Sequence, residues 1–388
     1  MRDFVSARAR DIPPSGIRKF FDLLQEMEDV ISLGVGEPDF PTPWHICERS
    51  IYTIEQGHTS YTSNKGMPEL RKLISRYLED RFGVSYDPDE EITVTSGVSE
   101  ALDIAIRAVV DQGDEVIVAE PSYVAYSPCV MLAGGIPVPV VCSEKDGFRL
   151  TADALIEKVT PKTKAVIINF PNNPTGAVMD RDAFRAIADV IVDHDLLLIN
   201  DEVYAELTYE TSHTAAAGIE GLRDRTITLN GFSKAYAMTG WRVGYLCAPP
   251  EISRAALKIH QYVMMCAPIM GQYAAIEALR KGDEDRDAMN REYHLRRNLF
   301  IKGLNRIGLS CHMPKGAFYA FPSVEGTGLS DYEFAERLLT EQQVAVVPGS
   351  AFGASGRGHV RCAYAVSRED LRCALGRMED FIASLARF

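Results

Sequence analysis

The chain has 388 residues, too many for one small hydrophobic core, and its length implies two or three packing units. Hydrophobic residues make up 46% and charged residues 24%, the balance of a soluble globular protein. Lys and Arg number 41 against 54 Asp and Glu, a net charge of −13. An acidic surface repels phosphate backbones, which excludes nucleic acid as the expected partner and leaves any bound anion to a few placed cations.

The N-terminal stretch MRDFVSARAR lacks the apolar centre of a secretory signal. Eight cysteines are scattered without C-x-x-C or metal-ligand spacing, as expected for reduced thiols in the cytoplasm. The most apolar region, YVMMCAPIMGQYAAIEAL (262–279), is broken by Pro268, Gln272 and Glu277. It is too interrupted to span a membrane, and it reads as the start of a buried helix.

From about residue 90 the chain alternates short β-branched runs with amphipathic stretches. EITVT (91–95) precedes a helix over SEALDIAIRAVV (99–110). EVIVA (115–119), IPVPVV (136–141) and KAVIINF (164–170) follow, then a helix over 180–193. LLLIN (196–200), TITLN (226–230) and VGYLCA (243–248) complete the set. Near-continuous apolar strands separated by helices predict an α/β fold, a mostly parallel seven-stranded sheet between helices. After about 285 a long charged helix leads to KGAFYAFP, a helix, VAVVP, HVRCAYA and a last helix, the texture of a smaller α+β domain. The expected division is therefore an N-terminal arm over 1–45 packed with that small domain, a large domain over 46–285, and the small domain over 286–388. The Gly-rich PGSAFGASGRG (348–358) lacks the Lys-Ser/Thr of a phosphate loop and reads as a flexible surface turn.

In sheets of this kind ligands collect at the carboxyl ends of the strands, and four features fall there. TVTSGVSEAL is strand, turn and helix; the amides after Gly97, at Val98 and Ser99, form an anion site or, equally simply, Ser99 caps the helix. NFPNNPTG (169–176) presents Asn172 or Asn173 on a rigid loop, unless it is a plain turn. LLLINDEVY ends in Asp201, with Tyr204 three residues on; the carboxylate is part of a site or a helix cap. GFSKAYAMTGWRVGY (231–245) sets Lys234 among small residues with no acidic neighbour, and Arg242 eight positions later.

Each feature alone has an ordinary structural explanation; together they specify a ligand. An amine in a low-dielectric site has a lowered pKa and attacks carbonyls. An arginine and a helix N-terminus suit a phosphate dianion. A buried carboxylate suits a protonated ring nitrogen. An aldehyde, a phosphate and a pyridinium nitrogen in one molecule describe pyridoxal 5′-phosphate.

The chain resembles the fold type I pyridoxal-phosphate-dependent aminotransferases, the aspartate aminotransferase family. Within it the resemblance is closest to prokaryotic and archaeal aspartate and aromatic aminotransferases. SLGVGEPDFPTP, YTSNKGMPELR, PNNPTG, DEVY, GFSKAYAMTGWRVGY, KGAFYAFP, VAVVPGSAFG and HVRCAYA carry it over nearly the whole length. The resemblance implies that Lys234 is the Schiff-base lysine, that Asp201 pairs with the pyridine N–H, and that Asn173 and Tyr204 hydrogen-bond the ring's phenolic oxygen. Tyr123 stacks on the ring, while Gly97, Val98, Ser99, Ser233 and Arg242 surround the phosphate. Tyr61 reaches the phosphate of a neighbouring subunit, implying a homodimer with shared active sites. Arg361 forks the α-carboxylate of the substrate, assisted by the Gly36 backbone. The implied reaction moves an amino group from an L-amino acid, aspartate or aromatic, to a 2-oxo acid such as 2-oxoglutarate by a ping-pong course.

Two positions depart from the family pattern. Gly231 stands where many relatives carry a phosphate-binding serine, and Ala363 removes a hydroxyl beside Arg361. Cofactor residues do not dictate reaction outcome, so a C–S β-lyase is the alternative enzyme and a non-catalytic cofactor-binding module the alternative class. An acidic substrate side chain calls for a further cation, for which Arg18, Lys19, Lys65 and Arg81 are candidates; Phe20, Phe21 and GAFYAF suit an aromatic one.

Overall fold

Seven strands pair into one sheet, and they are the seven apolar runs. The computed structural model describes residues 4–13 and 29–385, and the structural statements below concern those; Arg18, Lys19, Phe20 and Phe21 lie outside them. After a two-residue strand β1 (Ile31–Ser32), the sheet is built from β2 (Ile92–Thr95), β3 (Glu115–Glu120), β4 (Ile136–Val141), β5 (Thr163–Asn169), β6 (Leu197–Asp201), β7 (Thr226–Gly231) and β8 (Gly244–Cys247). Their spatial order is β2-β8-β7-β6-β5-β3-β4. All neighbours pair in parallel except around β8, which runs antiparallel to both β2 and β7.

The inner strands are mainly apolar because both faces are covered, whereas the edge strand β4 leaves Ile136 and Val141 about half exposed. In β5, Val166 and Ile168 face one side and pack with Phe184, Ile187 and Ile191 of the Arg181–Asp193 helix. Ala165 and Ile167 face the other side and pack with Ala101, Ile104 and Ala105 of the Gly97–Val109 helix. Each such aliphatic side chain contributes about 1.5–3 kcal/mol by leaving water. The helix expected over 180–193 begins one residue later, because Asp180 is its cap: its carboxylate accepts from the Ala183 amide at 2.9 Å.

The C-terminal residues form a second layer. β11 (Val347–Pro348), β12 (Val360–Ala363) and β9 (Tyr319–Ala320) make an antiparallel sheet in the order β11-β12-β9. The run VAVVP is two strands, since Val344–Ala345 (β10) turns instead to pair in parallel with β1. Leu33 joins the same hydrophobic cluster as Phe318, Phe334 and Tyr364, fastening residues 31–33 to the C-terminal layer.

One expectation is corrected. Residues 349–356 are not a flexible surface turn: they form short 3-10 turns with Phe352 only 2% exposed. The Ser122 amide donates to the Phe352 carbonyl at 3.0 Å, and the Ser350 amide to Asp331 Oδ2 at 2.8 Å. Gly349 and Gly356 meet backbone to backbone, which explains the glycines without a phosphate. The apolar run from 262 first ends one helix, Pro250–Val263, leaving Tyr262 93% exposed beside Val263, Met264 and Met265, and then begins the buried helix expected there, Ile269–Lys281, whose Ala274, Ala275, Ile276 and Ala278 are covered. Among the described residues no helix is long and apolar enough to cross a membrane.

Candidate active site

A cavity of about 710 Å³ opens at the carboxyl ends of the parallel strands. Val98 and Ser99 reach it from the helix after β2, Tyr123 from beyond β3, Asn173 from beyond β5, Asp201 and Tyr204 from the end of β6, and Ser233 and Lys234 from beyond β7. Because β8 runs the opposite way, its start lies at the same edge, and Arg242 two residues before it also lines the cavity. Gly36, following β1, and Arg361, on β12, close the far side. Gly97 sits behind this wall, where a Cβ would lie 2.4 Å from Arg242 Nη2, so only glycine lets the guanidinium pack against the helix start. Tyr61 is 81% exposed and outside the cavity that one chain forms.

Lys234 lies mostly covered in this space. Its Nζ donates to the Gly36 carbonyl at 2.7 Å, and among the described residues it has no ion-pair partner. Burial pushes its pKa down to about 8; the Glu37 carboxylate opposes that, and the Arg361 and Arg242 guanidinium groups reinforce it. A lysine so placed is a neutral amine about a tenth of the time at pH 7, far more often than a lysine of ordinary pKa.

Asp201 shows the opposite displacement. Burial raises its pKa to about 6, against the hydrogen bonds it accepts from the Tyr126 hydroxyl at 2.8 Å and the Val203 amide at 3.1 Å. It is held as part of the site rather than as a helix cap. Tyr126 had no signal in the sequence; it begins the Tyr126–Ala133 helix, and its ring meets Tyr123 edge-on at 5.7 Å.

The two asparagines of NFPNNPTG divide the work. Asn172 turns inward, its Oδ1 accepting from the Thr175 amide at 3.1 Å and hydroxyl at 2.8 Å, and so shapes the loop. Asn173 faces the cavity, where its Oδ1 accepts from Arg361 Nη1 at 3.0 Å. Arg361 also donates through Nη2 to the Gly34 carbonyl at 2.6 Å, and its guanidinium lies between the faces of Tyr319 and Phe352, 4.6 and 4.8 Å from their centroids. Its buried Nε has no partner. A planar cation gripped by aromatic faces, with a donor left over, is prepared for a carboxylate. Tyr319 and Phe352 are the other residues that spacing could not reveal.

Gly231 is explained by packing. A Cβ there would lie 2.9 Å from the Gly244 Cα, 3.0 Å from Val98 Cγ2 and 3.1 Å from the Val243 carbonyl oxygen. Gly231→Ser is therefore expected to lower stability by about 1–3 kcal/mol without adding an anion donor, which urea denaturation of the variant and parent will measure. Of the candidate cations for a substrate side chain, Lys65 donates to the Asp89 carbonyl and Arg81 to both carboxylate oxygens of Glu206, away from the cavity.

A nucleophilic amine, a buried carboxylate and two separated arginines on one sheet edge are the apparatus of an enzyme that works on amino groups through a carbonyl cofactor. The chain belongs to the class I and II aminotransferases, whose family model matches residues 28–378. It is 55% identical to a putative aminotransferase, YugH, of Bacillus subtilis over 98% of this chain and 99% of that one. It is 46% identical to an aspartate aminotransferase of Pyrococcus abyssi, covering 97% of this chain and 98% of the relative. The crystal structure of an aromatic aminotransferase from Pyrococcus horikoshii superposes with a TM-score of 0.90 at 45% identity, covering 94% of this chain and 99% of that one.

Proposed function

We propose that the protein binds pyridoxal 5′-phosphate and transfers the amino group of an L-amino acid, aromatic or aspartate, to a 2-oxo acid such as 2-oxoglutarate. The observation that carries this reading is Lys234, a shielded amine with only a carbonyl partner, sharing a cavity with Asp201, Arg242 and Arg361. The residues present fit the cofactor. Val98, Ser99, Ser233 and Arg242 offer phosphate donors, Asp201 a partner for the ring N–H, Tyr204 and Asn173 donors for the phenolic oxygen, and Tyr123 a face for the ring. When bound, the cofactor supplies an aldehyde carbon for amine exchange and a protonated ring that accepts the electron pair left at the substrate α-carbon.

The chain's own residues do the rest. Arg361 and the Gly36 backbone hold the α-carboxylate, which orients the α-carbon towards Lys234. The Lys234 Nζ takes the α-proton and returns it on the cofactor side, a role for which a pKa near 8 is suited. Asp201, ionised above its raised pKa of about 6, keeps the ring nitrogen protonated.

Side-chain preference follows from the lining. Among the described residues, the cations facing the cavity are Lys234, Arg242 and Arg361, each already engaged, while Val35, Tyr123, Val124 and Tyr319 offer apolar surface. This favours an aromatic donor over aspartate. A charge-assisted hydrogen bond contributes about 1.5–3 kcal/mol, so on the described lining aspartate should fall roughly tenfold or more behind in kcat/KM. A panel of amino donors with 2-oxoglutarate tests both levels. Phenylalanine or tyrosine should lead; pyruvate and ammonia released from cysteine without an acceptor would instead identify a lyase.

A homodimer with shared sites agrees with the surface. Tyr61 at 81% and Tyr262 at 93% exposure lie on neighbouring segments, joined by the Asn64 side chain donating to the Met265 carbonyl at 2.7 Å. An apolar patch of this kind marks an interface. All eight cysteines are free, in keeping with a cytoplasmic protein.

A further inference from the structure

Tyr319 lies 115 residues from Tyr204 in the chain, yet their hydroxyl oxygens are 2.7 Å apart. Tyr319 is 1% exposed, its ring carries the Arg361 guanidinium at 4.6 Å, and a Cβ on Gly36 would lie 2.6 Å from its hydroxyl oxygen. It therefore stands between the group that holds a carboxylate and a tyrosine of the cofactor site. Among the described residues neither hydroxyl has another hydrogen-bond partner. Two hydroxyls joined by one hydrogen bond have two protons; one fills the bond and the other is free to point elsewhere.

We infer that Tyr319 is a positioning residue for Tyr204: its hydroxyl donates to the Tyr204 oxygen, which releases the single Tyr204 proton to point at the phenolic oxygen of the cofactor. This inference rests on the proposed assignment of Tyr204 to that oxygen. With no acceptor in the cavity, either tyrosine can be the donor. A phenolic oxygen opposite Tyr204 supplies an acceptor on one side only and orients the pair. Donor chains of this form polarise one another, each bond strengthening the next by about 10–30%. The groups that act on the pair are Arg361, Asp201, Tyr123, Glu37 and Lys234, and all of them remain in place when only the Tyr319 hydroxyl is removed.

The test is Tyr319→Phe, which keeps the ring under Arg361 and deletes the hydroxyl. A weaker Tyr204 donor leaves the phenolic oxygen more basic. The pH midpoint of the bound cofactor's absorbance change should therefore rise, by roughly half a unit for the loss of one supporting bond. kcat should fall several-fold, with KM for the amino donor within about twofold of the parent, because the Arg361 contact is intact. Tyr319→Leu, which also removes the ring, should raise that KM markedly. In a Tyr204→Phe background, Tyr319→Phe should add no further shift of the midpoint, since its route to the cofactor is gone. An unshifted midpoint in Tyr319→Phe, or an equal shift with and without the Tyr204 hydroxyl, overturns the inference while the aminotransferase reading stands. Failure of the parent protein to take up the cofactor overturns both.

Discussion

Lys234→Ala should abolish transamination while leaving the protein folded and able to take up pyridoxal 5′-phosphate. Loss of a positioned base alone lowers rates by roughly 10²–10⁴, and here the same amine also serves as the covalent anchor, so a fall of about 10⁴ or more in kcat is expected. Binding survives because the donors at Val98, Ser99, Ser233 and Arg242 belong to other parts of the cavity wall. Titration with the cofactor followed by gel filtration separates the two properties. The cofactor should co-elute with the variant but be removed more easily by dialysis than from the parent. Undiminished turnover would refute the assignment of Lys234. The substitution also removes an amine that burial pushes down to about 8, so it should not weaken the cofactor-free fold at neutral pH.

Asp201→Asn should make the cofactor-free protein more stable and the enzyme far worse. The Asp201 carboxyl has its pKa raised by burial from 3.8 to about 6. Between these values the native state binds more protons than the unfolded chain, so stability from this group is present at low pH and is lost as pH rises through the interval. Above pH 6 the carboxylate costs about 3 kcal/mol, a shift of about two units at 1.36 kcal/mol each. An Asn side chain removes the charge and can still accept the Val203 amide, with its NH2 facing the Tyr126 oxygen. At pH 8 the cofactor-free variant should melt roughly 2 °C or more above the parent, and the difference should vanish near pH 4. With the cofactor bound the order reverses, because the ring N–H loses its anionic partner. Cofactor affinity should drop about tenfold or more and kcat by roughly 10³ or more. Equal melting temperatures at pH 8 would show that Asp201 is not strained in the empty site.

What could be foreseen followed from local physics. Most of the seven strands were legible because a strand covered on both faces must be largely apolar, as in AVII of β5 and LLI of β6, and the edge strand β4 by its β-branched run. Lys234, Asp201 and Asn173 were legible as neighbours because each ends or closely follows such a strand, and parallel strands bring their carboxyl ends to one edge. The choice between Asn172 and Asn173 was not legible from spacing, since both occupy the same loop and only the direction of each side chain separates them; the family resemblance alone selected Asn173. Tyr126 and Phe352 carried no signal because their contacts join distant segments, and GAFYAF offered Tyr319 only as aromatic surface, not as the partner of Tyr204. Tyr126 meets Asp201 across 75 residues, and Tyr319 meets Tyr204 across 115. The segment 349–356 misled for a related reason. Its glycines allow two backbones to touch, and composition does not distinguish a glycine needed for contact from one that permits motion.

Gly231, Gly244 and Gly97 form a chain of such contacts beside the cavity. A Cβ on the first would strike the second, a Cβ on the second would lie 2.7 Å from the backbone of the third, and a Cβ on the third would strike Arg242. A side chain at any one of the three must push its neighbour aside, so the positions are coupled: a serine at 231 is accommodated only where the next position gives way with it, and paired substitutions here are not the sum of the single ones.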